Sequence, residues 1–252
     1  MIYVTGDTHS DFGRFSTKRF RAQRDMTKND YVIICGDFGG VWNGSKTENY
    51  WLDWLQDKPF TTLFVDGNHE NFDMLNALPT KRFAGGDVHV VRDNILHLMR
   101  GNVYVLENKT FFAFGGASSH DIRDGVIDPA EFPTKEAFVK YATGQYMLGK
   151  QFRIKGISWW PDELPTEREM ERGVTNLLKH DNTVDYVITH CAPQSIASVI
   201  SDGAYKMDTL TNYLNNIYFN TTFNHWFCGH YHTEGRCMGN FDVLYENIMR
   251  IA

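Results

Sequence analysis

Short apolar runs, each closed by a polar cluster, punctuate the chain. Ile2-Tyr3-Val4 precedes Gly6-Asp7-Thr8-His9, Tyr31-Val32-Ile33-Ile34-Cys35 precedes Gly36-Asp37, and Leu63-Phe64-Val65 precedes Gly67-Asn68-His69-Glu70. Near the other end, Tyr186-Val187-Ile188 precedes Thr189-His190, and Trp226-Phe227-Cys228 precedes Gly229-His230-Tyr231-His232. Continuous apolar runs of this length read as strands buried on both faces. The polar clusters then fall at strand ends, where open α/β sheets bind their ligands. One site assembled from distant strand ends is expected.

Between these runs the pattern changes period. Residues 14–28 are polar and basic, with room for a helix. Residues 46–57 set Trp51, Leu52, Trp54 and Leu55 among acids, an amphipathic helix. Asn71 to Leu78 reads as a short helix stopped by Pro79. Val88–Val91 and Ile95–Leu98 flank the turn signal Asp93-Asn94, and Val103–Leu106 and Thr110–Phe114 flank Glu107-Asn108-Lys109, so two hairpins are predicted. Residues 117–162 show no clear strand, hold many charges and aromatics, and end in Ser158-Trp159-Trp160-Pro161; a lid or inserted surface loop is expected there. A helix opens near Pro165 with Thr166 and Glu169 in capping-box spacing and runs to Lys179. Residues 193–217 are helical in part, and a hairpin of Glu234–Met238 with Phe241–Tyr245 closes the chain. The reading is α/β, one domain over residues 1–252, with two sheets and helices outside.

Composition changes this picture little. The 252 residues are 42% hydrophobic and 22% charged, ordinary for a globular protein. No apolar stretch approaches the roughly 20 residues that span a bilayer, and the N-terminus lacks a basic n-region, so neither membrane nor signal peptide is expected. Cys35, Cys191, Cys228 and Cys237 show no C-x-x-C spacing, and Cys35 and Cys228 fall within apolar runs. A reducing, cytoplasmic setting is the expectation. A net charge of -6 does not indicate nucleic acid, yet leaves phosphate substrates open, because bound cations reverse the sign of a local site.

The chemistry lies in the clusters. Asp7 and His9 are two residues apart, which in an extended segment puts both side chains on one face, and His230 and His232 repeat the device. Asp37 is a lone carboxylate able to bridge two ions, Asn68 offers a carbonyl oxygen and His190 an imidazole. Such mixed N/O ligation suits manganese, iron, zinc or similar ions better than calcium. Two ions about 3.5–4 Å apart can clamp both attacking and leaving oxygens in phosphoryl transfer. His69 is then free for acid or electrostatic work, with Glu70 either orienting it or capping a helix.

The ordered set Gly-Asp-x-His, Gly-Asp, Gly-Asn-His-Glu, His and Gly-His-x-His, from Asp7 to His232, resembles the calcineurin-like metallophosphoesterase superfamily. That resemblance implies a sandwich of two mixed β-sheets flanked by helices, a four-layer fold with a dinuclear centre at one edge. It implies that Asp7, His9 and His232 hold one metal, that Asn68, His190 and His230 hold the other, and that Asp37 bridges. It makes His69 the catalytic histidine, and two divalent ions the cofactor, manganese foremost with iron, zinc, nickel or cobalt as alternatives. The implied activity is hydrolysis of a phosphate ester by activated hydroxide, as phosphatase or phosphodiesterase. Gly36-Asp37-Phe38-Gly39-Gly40-Val41 departs from the pattern: it lacks both the second Asp and the Arg of the protein-phosphatase branch. Ser10 replaces a Gly that often ends the first motif. After the Phe111–Phe114 run, His120 and Arg123 are candidate substrate contacts. A small-molecule or nucleotide phosphate ester is the expected substrate. The Trp-containing 117–162 stretch motivates a nucleotide- or nucleic-acid-directed phosphodiesterase as alternative, and a non-catalytic scaffold is the third reading. His89, His97, His180, His225 and Cys191 are assigned structural roles.

Overall fold

The apolar runs are strands, and alternate residues in each serve different cores. The computed structural model describes residues 1–252. Strands β1 (Ile2–Thr5), β2 (Tyr31–Ile34) and β3 (Thr61–Phe64) lie parallel and side by side. The basic stretch before β2 forms two 3₁₀ turns, Phe12–Phe15 and Arg21–Asp25, in place of the helix allowed for. Helix α1 (Lys46–Gln56) enters β3 and the short helix α2 (Phe72–Asn76) leaves it. Then β5 (Gly86–Arg92) pairs antiparallel with both β4 (Thr80–Phe83) and β6 (Ile95–Leu98), with β6 parallel to β3. β7 (Asn102–Leu106) and β8 (Lys109–Phe114) make the second predicted hairpin.

The 117–162 stretch is more regular than its sequence suggested. It holds β9 (Val126–Ile127), helix α3 (Lys135–Met147) and β10 (Arg153–Ile154), the two strands pairing in parallel. Strands of two residues are too short to show alternation. Helix α4 (Glu167–Leu178) starts at the capping box of Thr166 and Glu169. β11 (Thr183–Thr189), helices α5 (Gln194–Ile200) and α6 (Thr209–Asn220), and β12 (Thr222–Cys228) follow. β13 (Gly235–Met238) and β14 (Phe241–Val243) are the closing hairpin, and β15 (Met249–Arg250) pairs with β1.

The strands form a seven-stranded mixed sheet, β15-β1-β2-β3-β6-β5-β4, and a six-stranded mixed sheet, β13-β14-β12-β11-β8-β7. Ile2, Val4, Ile33 and Leu63 of the first sheet meet Phe111, Ala113, Ile188 and Phe227 of the second in one buried core between them. The alternate residues point outward. Val32, Ile34 and Phe64 pack on Leu52 and Leu55 of α1, while Phe112, Phe114 and Trp226 pack on Leu177, Ile196 and Leu214. The layers are therefore helix, sheet, sheet, helix, the sandwich expected. No helix is long and apolar enough to cross a membrane.

Candidate metal centre

All five polar clusters meet at one edge of the sandwich, where parallel strands of both sheets end. Backbone hydrogen bonds lock the loops together: His9 N donates to Asp37 O (2.7 Å), and Thr8 Oγ1 to Phe38 O (2.9 Å). The two buried carboxylates are aimed by backbone amides. His230 N donates to Asp7 Oδ1 (2.9 Å), and His69 N donates to Asp37 Oδ1 (2.8 Å). Glycine is needed where chain passes these carboxylates. A Cβ on Gly67 would overlap Asp37 Oδ1, and one on Gly229 would overlap Asp7 Oδ1.

Two groups of lone pairs result, with Asp37 between them. On one side His9 Nε2 and His232 Nε2 stand 3.0 Å apart. Asp7 Oδ2 lies 3.3 Å from His232 Nε2 and 3.9 Å from His9 Nε2, and Asp37 Oδ2 lies 3.7 Å from His9 Nε2. The candidate ligand atoms of Asp7, His9, Asp37 and His232 all fall within 4.8 Å of one another. On the other side His190 Nε2 lies 3.4 Å from Asp37 Oδ1 and 3.3 Å from Asn68 Oδ1. The His190 Nδ1 faces the Cys35 carbonyl at 2.8 Å, which fixes Nε2 toward the cluster. The His230 ring stacks edge-on against His190, centroids 4.9 Å apart.

Acceptors crowded this closely repel unless positive charge sits among them. Asp7 and His190 are fully buried and Asp37 is 1% exposed. Burial alone would raise the Asp37 carboxyl, but His190, His69 and His9 reverse this and hold it well below the usual range. Burial would lower His190, yet Asp37 and Asp7 raise it to about 10. The donor set thus calls for cationic charge, and its mixture of carboxylate, amide oxygen and imidazole fits divalent transition ions. Backbone strain concentrates here too: His9, Asp37, His230 and His232 have φ of +44°, +44°, +69° and +47°. Left-handed backbone outside glycine gathers at functional sites and costs about 1–3 kcal/mol per residue.

The other expected residues divide. His69 sits beside the cluster, its ring 5.3 Å from that of His9. Burial and the Arg153 guanidinium lower its imidazole pKa against the pull of Asp37. Glu70 does not contact His69 through its carboxylate; it accepts from Phe38 N (2.8 Å) and Gly39 N (3.4 Å), so it braces the Asp37 loop. His120 stacks on Tyr205 (4.4 Å) and meets the His230 ring edge-on (4.8 Å), at the rim of the site. Arg123 is exposed, with no hydrogen bond or ion pair to the cluster. His97 pairs with Asp66 and His225 with Asp242, away from the cluster's donors. Cys35, Cys191 and Cys228 are buried free thiols.

Sequence reasoning missed three residues. Ser119 Oγ accepts from Asn68 Nδ2 (3.3 Å), Glu163 accepts from Ser119 N (3.1 Å), and Arg153 reaches His69. A cavity of about 410 Å³ opens beside His9 and His69, walled by Gly39, Gly40, Trp42, Asn43 and Trp51. Glu48 shapes it by accepting from the amides of Trp42, Asn43 and Gly44.

The family model described as calcineurin-like phosphoesterase matches residues 1–234. No curated protein matches the chain.

Proposed function

The chain belongs to the calcineurin-like phosphoesterase family, and from that premise we propose that it hydrolyses phosphate esters at a centre of two divalent cations. Asp7, His9 and His232 would hold one cation, Asn68, His190 and His230 the other, and Asp37 would serve both. The observation that carries this reading is the position of Asp37, whose Oδ2 faces His9 and whose Oδ1 faces His190. Manganese is the foremost candidate, with iron, zinc, nickel or cobalt as alternatives; such ions, when bound, supply Lewis acidity and a nucleophilic water at neutral pH.

The protein's own groups do the rest. His69 is held in place through its amide on Asp37 and faces the open cavity, where it protonates or stabilises the departing oxygen. The Asp7 and Asp37 carboxylates are buried by the fold away from bulk water, which strengthens every electrostatic contact made there. The cavity beside His69 takes the alcohol part of the ester. Its Trp42 and Trp51 walls support a second reading, a nucleotide-directed phosphodiesterase, because a nucleobase stacks on aromatic faces. His120 is the rim contact for the substrate.

The test is turnover of chromogenic esters by manganese-loaded protein, with metal content measured in parallel. Asp37→Asn is expected to lose bound metal and activity together. His69→Gln is expected to keep its metal and slow turnover by roughly 10²–10³-fold. Wild-type metal content and rate in Asp37→Asn overturn the bridging assignment.

A further inference from the structure

The second motif lacks the arginine that clamps phosphate in the protein-phosphatase branch, yet a guanidinium stands at the site. Arg153 comes from β10, in the 117–162 segment. Its Nε and Nη2 donate to Asp121 Oδ1 (2.9 Å) and Oδ2 (2.7 Å), and its Nη1 donates to Ser158 O (3.1 Å). Nη1 also lies 3.3 Å from His69 Nδ1, and Nη2 lies 3.4 Å from His69 Nε2. The Arg153 side chain is only 13% exposed.

A guanidinium carries five N–H donors. Asp121 and Ser158 take three. The remaining two, one on each Nη, face the His69 ring. A neutral imidazole has one acceptor nitrogen and a protonated one has none. At least one of these donors therefore has no acceptor on the ring, although Arg153 is held from behind by a bidentate carboxylate. Such a fork, rigid at its base and with a donor left over at its tip, fits an oxygen of a phosphate group.

We propose that Arg153 is a phosphate-binding residue of this site and that its fork favours monoesters over diesters. The inference rests on the phosphoesterase reading of the site. A monoester carries three non-bridging oxygens, so one can meet the fork while two remain for the rest of the centre. A diester carries two, so an oxygen given to the fork leaves only one for the rest of the centre. Asp121 is then a positioning residue, because it holds the fork without touching substrate.

The experiment compares wild-type protein with Arg153→Ala and Arg153→Lys, using p-nitrophenyl phosphate and bis-p-nitrophenyl phosphate with manganese. Arg153→Ala should lower kcat/KM for the monoester by about 100-fold, the scale of losing hydrogen bonds to a charged group. The monoester-to-diester ratio should fall at least tenfold, and inorganic phosphate should inhibit at least tenfold more weakly. Arg153→Lys keeps the charge but not the fork and should restore only part of the loss. Equal losses on both esters with unchanged phosphate inhibition would mean that Arg153 merely props His69, and would overturn the clamp. If Arg153→Ala does not fold, Arg153→Lys with a wild-type ester ratio and phosphate inhibition overturns it equally. Wild-type protein that cleaves neither ester overturns the hydrolase reading instead. In that event, calorimetric titration of inorganic phosphate into wild type and Arg153→Lys decides the clamp alone, since equal affinity sinks it and weaker binding by the variant upholds it.

Discussion

An amide side chain has two ends of nearly the same shape, and only its oxygen is a ligand. At Asn68 the nitrogen end is tied off: Nδ2 donates to Ser119 Oγ (3.3 Å), and Oδ1 is left facing His190 Nε2. Ser119 is itself held through its backbone by Glu163. Removing the acceptor by Ser119→Ala frees the amide to rotate, and metal affinity is expected to fall by about tenfold. Manganese titration of the metal-free protein checks this, and an unchanged affinity would show that Ser119 orients nothing. Residues such as Asp7, Asn68 and His232 were legible because each closes an apolar run or its neighbour does. Ser119, Arg153 and Glu163 carried no such signal. Their roles arise from side chains meeting across 51, 84 and 44 positions of chain, and periodicity says nothing about contacts of that kind.

Elements differed in legibility for similar reasons. The two hairpins and α1 and α4 announced themselves by alternation, amphipathic spacing and capping residues. β4 was missed because its residues, Thr80–Phe83, are largely exposed at a sheet edge, and β15 because two residues show no period. The 117–162 segment shows no strand pattern in its sequence, and its α3 buries only Phe138 while Tyr146, Met147 and Leu148 stay exposed, so no apolar stripe marks it. The segment closes on itself through Asp124 with Lys150 and Asp121 with Arg153. Trp160 is 3% exposed and donates to Asp73, a packed anchor and not a stacking platform. Glu163 fastens the end of the segment back onto Ser119. Its Oε1 has no partner, and burial pushes its carboxyl from 4.5 up to about 8. The folded state thus holds this proton more tightly than the unfolded state does. The stability it contributes is full below pH 4.5 and is lost as pH rises toward about 8. Glu163→Gln, neutral at every pH, should therefore show a shallower fall of Tm between pH 5 and 9 than wild type, read by thermal melts across that range. Parallel melting curves would remove the assignment.

At the scale of the molecule, the two sheets share the site. The first contributes Asp7, His9, Asp37 and Asn68 from loops after β1, β2 and β3; the second contributes His190, His230 and His232 from loops after β11 and β12. Each group of donors draws on both sheets. Cations bound there stabilise the folded chain by mass action, by about 2.7 kcal/mol per site at a hundredfold excess over Kd. For a chain of this size, that corresponds to a Tm rise of roughly 5–10 °C per site. Calorimetric scans with manganese and with chelator test this, and identical transitions would argue that no cation is held. The apolar core between the sheets acquires a second meaning from the same arrangement. Ile33, Ile188 and Phe227 set the spacing of the two halves that carry the donors proposed for the two cations. The proposed metals would act as a strain gauge across the sandwich: a truncation midway between the layers, far from any reacting atom, would first register as a loosened grip on its ions.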